Sequence, residues 1–137
     1  NYWRRCYFKY WLTYYLEEER KKNMKAYFLL TISIICEVFA TTMLKISDGF
    51  TLPLPSAAVV LGYGLSFFFL GLTLKTLPLS LAYAIWAGVG TLLTLFVSVV
   101  LWDEVLSNLK VTGILLIIGG VVVLNSATNN KAAEPTN

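Results

Sequence analysis

The chain has 137 residues, of which 57% are hydrophobic and only 14% are charged, and its mean hydropathy is +0.66. A soluble domain of this length cannot hide so much apolar surface, so the composition predicts an all-α integral membrane protein with the lipid bilayer as its solvent. The net charge of +3 is too small to indicate nucleic-acid binding. The sequence has no histidine and no cluster of cysteines and carboxylates at ligand spacing, so neither a metal site nor an enzyme is predicted.

Residues 1–23 differ in kind from the rest of the chain, since they combine eight aromatic residues with a run of charges. One interpretation is an interfacial amphipathic helix with its aromatic rings at headgroup depth. The other is an N-terminal extension that is not native, with Met24 as the natural start. The second is favoured because purine-rich codons specify the residues just before Met24, as a translated ribosome-binding stretch would.

Four apolar segments approach the roughly 20 residues that a helix needs to cross a ~30 Å hydrocarbon core. We place the spans at residues 27–44, 56–74, 81–101 and 109–125, so that residues 24–125 form one four-helix domain. Glycine, proline and polar residues punctuate the short connections, which make successive helices antiparallel neighbours. The polar residues 126–137 are predicted to be a disordered tail.

Glu37 is the one acidic residue within the four predicted spans, and it lies near the middle of the first. A carboxylate at that depth costs ~2.5 kcal/mol or more to insert, so a functional role is the first hypothesis. The alternative is a hydrogen-bonded carboxyl that only fixes helix packing, although the spans offer no basic partner away from their ends. We interpret Glu37 as a group that binds a proton in one state and a cationic ligand in another, which is the basis of proton-coupled antiport.

Helical spacing places Ser33, Ile34 and Thr41 on the same face as Glu37. Small and hydroxylated neighbours leave room for a ligand, so we predict that these three residues contact the substrate. The same residue types are equally typical of close packing between membrane helices, and both interpretations stay open.

Aromatic residues of the second and third spans form a candidate site for an organic cation. Tyr63 and Phe67 lie about one turn apart on the second span, and Tyr83 and Trp86 share a face of the third. Aromatic rings attract cations by their negative faces, at about 0.5–2 kcal/mol each. We predict that all four contact the substrate, although Phe67 also belongs to a run of three phenylalanines that fits packing.

Glycines mark two further features. Gly88 and Gly90 lie midway along the third span, where they weaken the helix and predict a kink. In the fourth span, a single-face spacing suited to helix pairing predicts a dimer interface, formed by Gly113, Leu116, Ile117 and Gly120.

Three segments of the chain resemble one known family. Residues 35–45 are Ile-Cys-Glu-Val-Phe-Ala-Thr-Thr-Met-Leu-Lys, residues 47–50 are Ser-Asp-Gly-Phe, and residues 82–90 are Ala-Tyr-Ala-Ile-Trp-Ala-Gly-Val-Gly. In this order, and across essentially residues 24–125, they are similar to the small multidrug resistance family of proton-coupled efflux transporters.

The resemblance implies an antiparallel, dual-topology dimer of four-helix subunits in the inner (plasma) membrane of a bacterium. It implies that one membrane glutamate per subunit, here Glu37, alternately binds protons and substrate. The expected function is export of hydrophobic and quaternary ammonium cations, giving multidrug and antiseptic resistance without a cofactor, because the proton gradient drives transport. The matched positions are Tyr63, Tyr83 and Trp86 for substrate, Gly88 and Gly90 for the kink, and Gly113 and Gly120 for the dimer seam.

Within the family, Thr41-Thr42 and Tyr63 look like the quaternary-ammonium branch. The guanidinium-exporting branch usually has a tryptophan three residues after its glutamate, where this chain has Ala40. Export of guanidinium or polyamines is therefore the alternative, together with a role as one subunit of a paired heteromer. A scaffold without transport activity, or a pore with a more polar lining, is the rival from another class.

Charge counting agrees with dual topology if translation starts at Met24. The positive-inside bias is then only three lysines against two, which is too small to set one orientation. The basic residues of 1–23 would tip the balance towards an N-terminus inside the cell. The two sets are Lys25, Lys75 and Lys131 against Lys45 and Lys110.

Overall fold

The computed structural model describes residues 2–132, with side-chain positions from residue 9 to residue 128. In that range the chain forms four α-helices and no strand: α1 (Tyr2–Ile46), α2 (Pro53–Thr73), α3 (Leu79–Trp102) and α4 (Asn108–Ala132). Each includes a stretch long and apolar enough to cross a bilayer, namely Lys9–Ile46, Pro53–Thr73, Leu79–Trp102 and Asn108–Thr128. The predicted all-α architecture with four membrane-spanning helices is confirmed.

The turn between α1 and α2 uses three successive residues in the left-handed region. Asp48, Gly49 and Phe50 have φ values of 48°, 67° and 68°, a conformation that costs glycine little and that aspartate tolerates. The buried Ser47 supports this turn, because its Oγ donates to the Leu44 carbonyl at 2.8 Å and accepts the Phe50 N–H at 3.3 Å. The chain therefore reverses at the Asp48-Gly49 position that the sequence indicates.

Prolines set the starts of the next two helices. Helix α2 begins at Pro53, three residues before its predicted start, because proline is tolerated in the first turn, where its missing N–H would be unpaired anyway. Helix α3 begins directly after Pro78 and ends at Trp102, where Asp103 adopts a left-handed φ of 50°.

Helix α4 runs to Ala132, so residues 126–132 do not form the disordered tail that was predicted. No glycine or proline follows Gly120 before that point to stop the helix. The Ser126 and Thr128 hydroxyls donate to carbonyls one turn earlier, at 3.0 and 2.9 Å, as helical Ser and Thr residues do. The remainder of the predicted tail, residues 133–137, lies outside the described residues.

Helix α1 is continuous through Met24, so it begins far before the predicted span at 27–44. No glycine or proline precedes Met24, and an ion pair between Lys21 and Glu17, at 3.8 Å, supports the exposed turns. Its 45 residues rise by ~68 Å, more than twice the ~30 Å hydrocarbon core. Continuity does not bear on where translation starts, so the non-native origin of residues 1–23 stays a prediction; Asn1 lies outside the described residues.

The core lies among α1, α2 and α3, whereas α4 packs chiefly on α3. Gly62 lets α2 approach α1 closely, since a Cβ at that position would lie 2.8 Å from the Cβ of Ala40. Small residues permit such backbone approach between membrane helices. The buried cluster comprises Ala26, Leu30, Ile34, Leu70, Leu77, Ala82 and Trp86.

Candidate functional site

Glu37 lies on α1 beside a hydrogen-bonded contact with α2. One turn after Glu37, the Thr41 hydroxyl donates to the Glu37 carbonyl at 2.9 Å and lies 2.8 Å from the Tyr63 hydroxyl. Because the single Thr41 proton points to the carbonyl, Tyr63 is the donor of the second bond. Two predicted substrate contacts, Thr41 and Tyr63, are therefore brought together next to Glu37.

The Glu37 carboxylate is incompletely satisfied within the subunit. Its Oε2 atom is buried and makes no hydrogen bond to any described residue. A buried polar oxygen without a partner is costly, and a negative charge there is costlier still. The site therefore favours either a proton on this carboxyl group or a cation beside it.

Gly90 of α3 provides the space that the Glu37 carboxylate occupies. A Cβ at position 90 would lie 2.8 Å from the Glu37 Cδ and 3.0 Å from its Oε1, and it would overlap Oε2. Only a residue without a side chain permits this approach. Gly90 is thus a packing partner of the Glu37 carboxylate, a role that the sequence interpretation did not include.

Gly88 likewise leaves space for a neighbouring side chain, on the opposite side of α3. A Cβ there would lie 2.9 Å from the Val121 Cγ2 and 3.4 Å from the Ile117 Cγ2 of α4. Helix α3 is continuous across both glycines. The predicted kink at Gly88 and Gly90 stays a prediction, and the structure adds that each glycine accommodates a neighbouring helix.

A serine pair joins α1 to α2 one turn before Glu37. Ser33 Oγ donates to the Ser66 carbonyl at 2.7 Å, and Ser66 Oγ donates to the Ser33 carbonyl at 2.8 Å. Both side chains are fully buried, and the Trp86 Nε1–H donates to Ser66 Oγ at 3.3 Å. Ser66 was not among the predicted site residues; its spacing of three residues from Tyr63 was the signal available.

The four predicted aromatic contacts form a continuous row of rings across α2 and α3. The centroid of the Phe67 ring lies 6.4 Å from that of Tyr63 and 5.5 Å from that of Trp86, and Trp86 lies 5.6 Å from Tyr83. Trp86 is 7% exposed, whereas Phe67 and Tyr83 are more than half exposed. The row therefore offers two open rings that adjoin a buried, hydrogen-bonded anchor, an arrangement suited to an organic cation.

Ile34 is placed differently from the other predicted substrate contacts. It is 5% exposed and belongs to the core cluster with Leu30 and Leu70. Within the subunit it packs between helices and has no open face, which agrees with the close-packing alternative for this side of α1.

The residues predicted as a dimer interface lie mostly on an open face of α4. No described residue comes within 4 Å of a Cβ built on Gly113 or Gly120, and Leu116 is 73% exposed. Ile117, in contrast, lies against Gly88 of α3. Three of the four residues are therefore free to contact another helix.

Comparison with known proteins identifies the family. Residues 25–117 match the family model described as Small Multidrug Resistance protein. The chain belongs to the Small Multidrug Resistance family. Among members of this family, it is 49% identical over 111 residues to the multidrug resistance protein EbrB of Bacillus licheniformis, covering 81% of this chain and 93% of that protein.

Two other relatives have a similar sequence identity to this chain. The multidrug resistance protein EbrA of Bacillus licheniformis is 48% identical over 99 residues, which are 72% of this chain and 94% of that protein. The quaternary ammonium compound-resistance protein QacE of Escherichia coli is 45% identical over 109 residues, 80% of this chain and 99% of that protein. The resemblance found in the sequence is confirmed, and this family member is a multi-pass protein of the bacterial plasma membrane.

Proposed function

We propose that this chain is a proton-coupled antiporter that exports hydrophobic and quaternary ammonium cations and so gives multidrug resistance. The observation that carries the proposal is Glu37, whose buried Oε2 has no hydrogen-bond partner among the described residues. It lies one turn from the Thr41–Tyr63 bond, and Tyr63 begins the row of aromatic rings.

The exchange follows from competition for one negative charge. A protonated Glu37 is neutral and suits its apolar surroundings, whereas an ionised Glu37 requires a cation. A quaternary ammonium ion supplies that charge and places its apolar groups against aromatic faces. Since either a proton or a cation neutralises Glu37, a proton from outside displaces the cation that was bound from the cytoplasm.

The buried position of Ala40 supports the quaternary-ammonium class over the guanidinium alternative. Ala40 is fully buried, and its Cβ lies 2.8 Å from the position of a Cβ on Gly62. The tryptophan that is typical of the guanidinium branch has no room at position 40 while α1 and α2 pack in this way. The relative QacE is named a quaternary ammonium compound-resistance protein.

The transporting unit in this proposal is an antiparallel dimer. No residue of Asn108–Thr128 in α4 is buried within the subunit, and the open Gly113 and Gly120 suit close contact with another helix. The partner is a second copy or a related subunit. A related subunit is the second candidate, because EbrA and EbrB of one organism are about equally similar to this chain.

Proton release on binding of tetraphenylphosphonium tests the proposal. The cation is added to detergent-purified protein in weak buffer at a series of pH values, and a pH indicator reports the protons released. We expect release from the unmodified protein and none from Glu37→Gln. The apparent affinity should fall as pH falls, since protons then occupy Glu37.

Glu104→Gln is the matched control, because it removes a loop carboxylate that pairs with Lys110 at 3.3 Å. It should release protons like the unmodified protein. If Glu37→Gln binds the cation normally but assembles differently, the scaffold alternative is correct. If cation flux in vesicles ignores an imposed proton gradient, the pore alternative is correct.

A further inference from the structure

The buried serine pair, Ser33 of α1 and Ser66 of α2, uses its hydroxyl protons between helices. A helical serine or threonine more often donates to the carbonyl one turn earlier in its own helix, as Thr42 does to Val38 at 2.7 Å. Ser33 and Ser66 instead donate to each other's backbone carbonyls, at 2.7 and 2.8 Å. The pair therefore fixes the separation and the register of α1 and α2 at this point.

The arrangement leaves the Ser66 oxygen as an acceptor. Its distance to the Ser33 carbonyl, 2.8 Å, is shorter than the 3.3 Å between the two Oγ atoms, so we assign the Ser66 proton to that carbonyl. A hydroxyl has one proton, and an indole N–H can only donate. The Trp86 Nε1–H, 3.3 Å from Ser66 Oγ, therefore meets an oxygen whose remaining role is to accept.

This hydrogen bond favours one orientation of the Trp86 indole. The side chain is 7% exposed and belongs to the buried cluster, so its N–H has little access to water. A half-turn of the ring would carry Nε1 away from Ser66 and leave a buried donor without a partner, which is costly. Trp86 is thus held both by packing and by a directed bond that the serine pair supplies.

Trp86 in turn limits the tilt of the two open rings beside it. The Phe67 ring lies 5.5 Å from the indole with an interplanar angle of 47°, and the Tyr83 ring lies 5.6 Å away at 43°. Rings this close are in contact, so the orientation of one restricts the orientation of the other. Phe67 and Tyr83 are 56% and 54% exposed, so the serine pair acts indirectly on two rings that a ligand can reach.

We propose that Ser33 and Ser66 are positioning residues that fix the Trp86 ring and, through it, the aromatic surface on which a planar organic cation stacks. The proposal rests on the proposed antiport and adds to it a determinant of substrate shape. Ser33 is fully buried within the subunit, so it acts through Ser66 and Trp86 and not by touching the cation. A planar cation depends on ring tilt because stacking needs nearly parallel faces, whereas a globular cation presents groups in several directions.

The test compares the affinities of two cations that differ in shape, planar ethidium and globular tetraphenylphosphonium, in detergent at high pH. Ser66→Ala should weaken ethidium binding about fivefold, the size of one lost aromatic contact, and tetraphenylphosphonium binding less than about twofold. Ser33→Ala should act in the same direction but less, since the Ser66 hydroxyl remains. The double variant should be no worse than Ser66→Ala, because residues that act as one unit are not additive.

Thr73→Val is the matched control for a general loosening of the α1–α2 contact. Thr73 is also fully buried on α2, and its hydroxyl lies 3.4 Å from the Ala26 carbonyl of α1, two turns of helix away from Ser66. The variant should keep the ratio of the two affinities even if it lowers thermal stability. An equal change of the ratio in Thr73→Val, or no change in Ser66→Ala, would overturn the positioning role.

Nuclear magnetic resonance of the indole N–H gives a readout that needs neither cation binding nor transport. Trp3→Phe, Trp11→Phe and Trp102→Phe leave Trp86 as the single tryptophan of the chain, which is then labelled with ¹⁵N.

The Trp86 N–H proton should move upfield in Ser66→Ala, because its hydrogen bond is lost, and should stay in place in Thr73→Val. An unmoved resonance in Ser66→Ala would show that the serine does not hold the ring and would overturn the proposal. Failure of the antiport itself would appear differently, as absence of proton release when a cation is added to the unmodified protein.

Discussion

Helices α2 and α4 have membrane stretches of the same length and of similar apolarity, yet the two helices pack very differently. Their membrane stretches are 21 residues each, with mean hydropathies of 1.7 and 2.0. Helix α2 buries a stripe of residues at intervals of three and four, namely Val59, Gly62, Ser66, Leu70 and Thr73. Helix α4 buries none between Asn108 and Thr128. Apolarity therefore determines membrane insertion in both helices but packing in neither.

The difference comes from small and hydroxylated residues. Lipid tails are as apolar as leucine, so helices associate in a bilayer through close backbone approach and hydrogen bonds. Helix α2 has both, since Gly62 lies against Ala40 and Ser66 exchanges hydrogen bonds with Ser33. Helix α4 packs aliphatic side chains against Gly88 of α3, and its own Gly113 and Gly120 meet no described residue, which leaves this glycine face available for another subunit.

Gly62→Leu should produce the largest effect, because it separates α2 from α1. Its Cβ would already lie 2.8 Å from the Ala40 Cβ, so the remaining atoms cannot be placed without moving a backbone. We expect a loss of about 3 kcal/mol of stability and loss of the monodisperse species. Thermal unfolding and size-exclusion chromatography in detergent measure both.

Gly64→Leu is the control on the same helix, since no described residue lies within 4 Å of a Cβ there. It should unfold at the same temperature as the unmodified protein. An equal loss of thermal stability in both variants would mean that α2 tolerates a large side chain on neither face. The packing difference between α2 and α4 would then not depend on Gly62.

Ser66→Ala should have a smaller effect within the subunit. It removes the bond to the Ser33 carbonyl and leaves the buried Trp86 N–H without its partner at 3.3 Å. An unsatisfied buried donor costs about 1–3 kcal/mol. Denaturant-free thermal unfolding should show this loss, whereas Ser56→Ala, whose hydroxyl bonds only to the Leu52 carbonyl, should show little change.

Gly120→Leu should have the smallest effect on the subunit and act only on assembly. The added side chain meets no described residue, so the unfolding temperature of the subunit should not change. We expect dimerisation to weaken by about 1 kcal/mol, roughly fivefold, if Gly120 lies in the dimer seam. Energy transfer between labelled subunits during lipid dilution measures this, and Gly119→Leu, on the neighbouring face, should dimerise normally.

Much of the fold was predictable because a membrane helix needs a long apolar run and because proline, glycine and aspartate mark its ends. The four spans and the turn at Asp48-Gly49 follow from those signals. The start of α1 and the end of α4 could not be predicted in this way, because no helix-breaking residue lies before Met24 or between Gly120 and Ala132. Polar composition alone does not stop a helix that has already begun.

The candidate site was predictable where a residue type is unusual in its setting. A lone acid in the spans singled out Glu37, and aromatic spacing singled out Trp86. Contacts between helices were not predictable, because they depend on register. Serine is common in apolar spans, so the bonds of Ser66 could not be read from its neighbours. The contact of Gly90 with Glu37 likewise appears only once α1 and α3 are placed side by side.

Helix α1 is also long enough to hold a label at a fixed distance from the membrane. The unbroken stretch Lys9–Ile46 has 38 residues and rises by ~57 Å, so roughly 27 Å of stiff helix stands clear of a ~30 Å hydrocarbon core. A dye at Thr13 is therefore held at a set height above one leaflet and is not carried on a loose tether. Quenching by acceptors confined to a single leaflet then reports, molecule by molecule, which way each subunit was inserted.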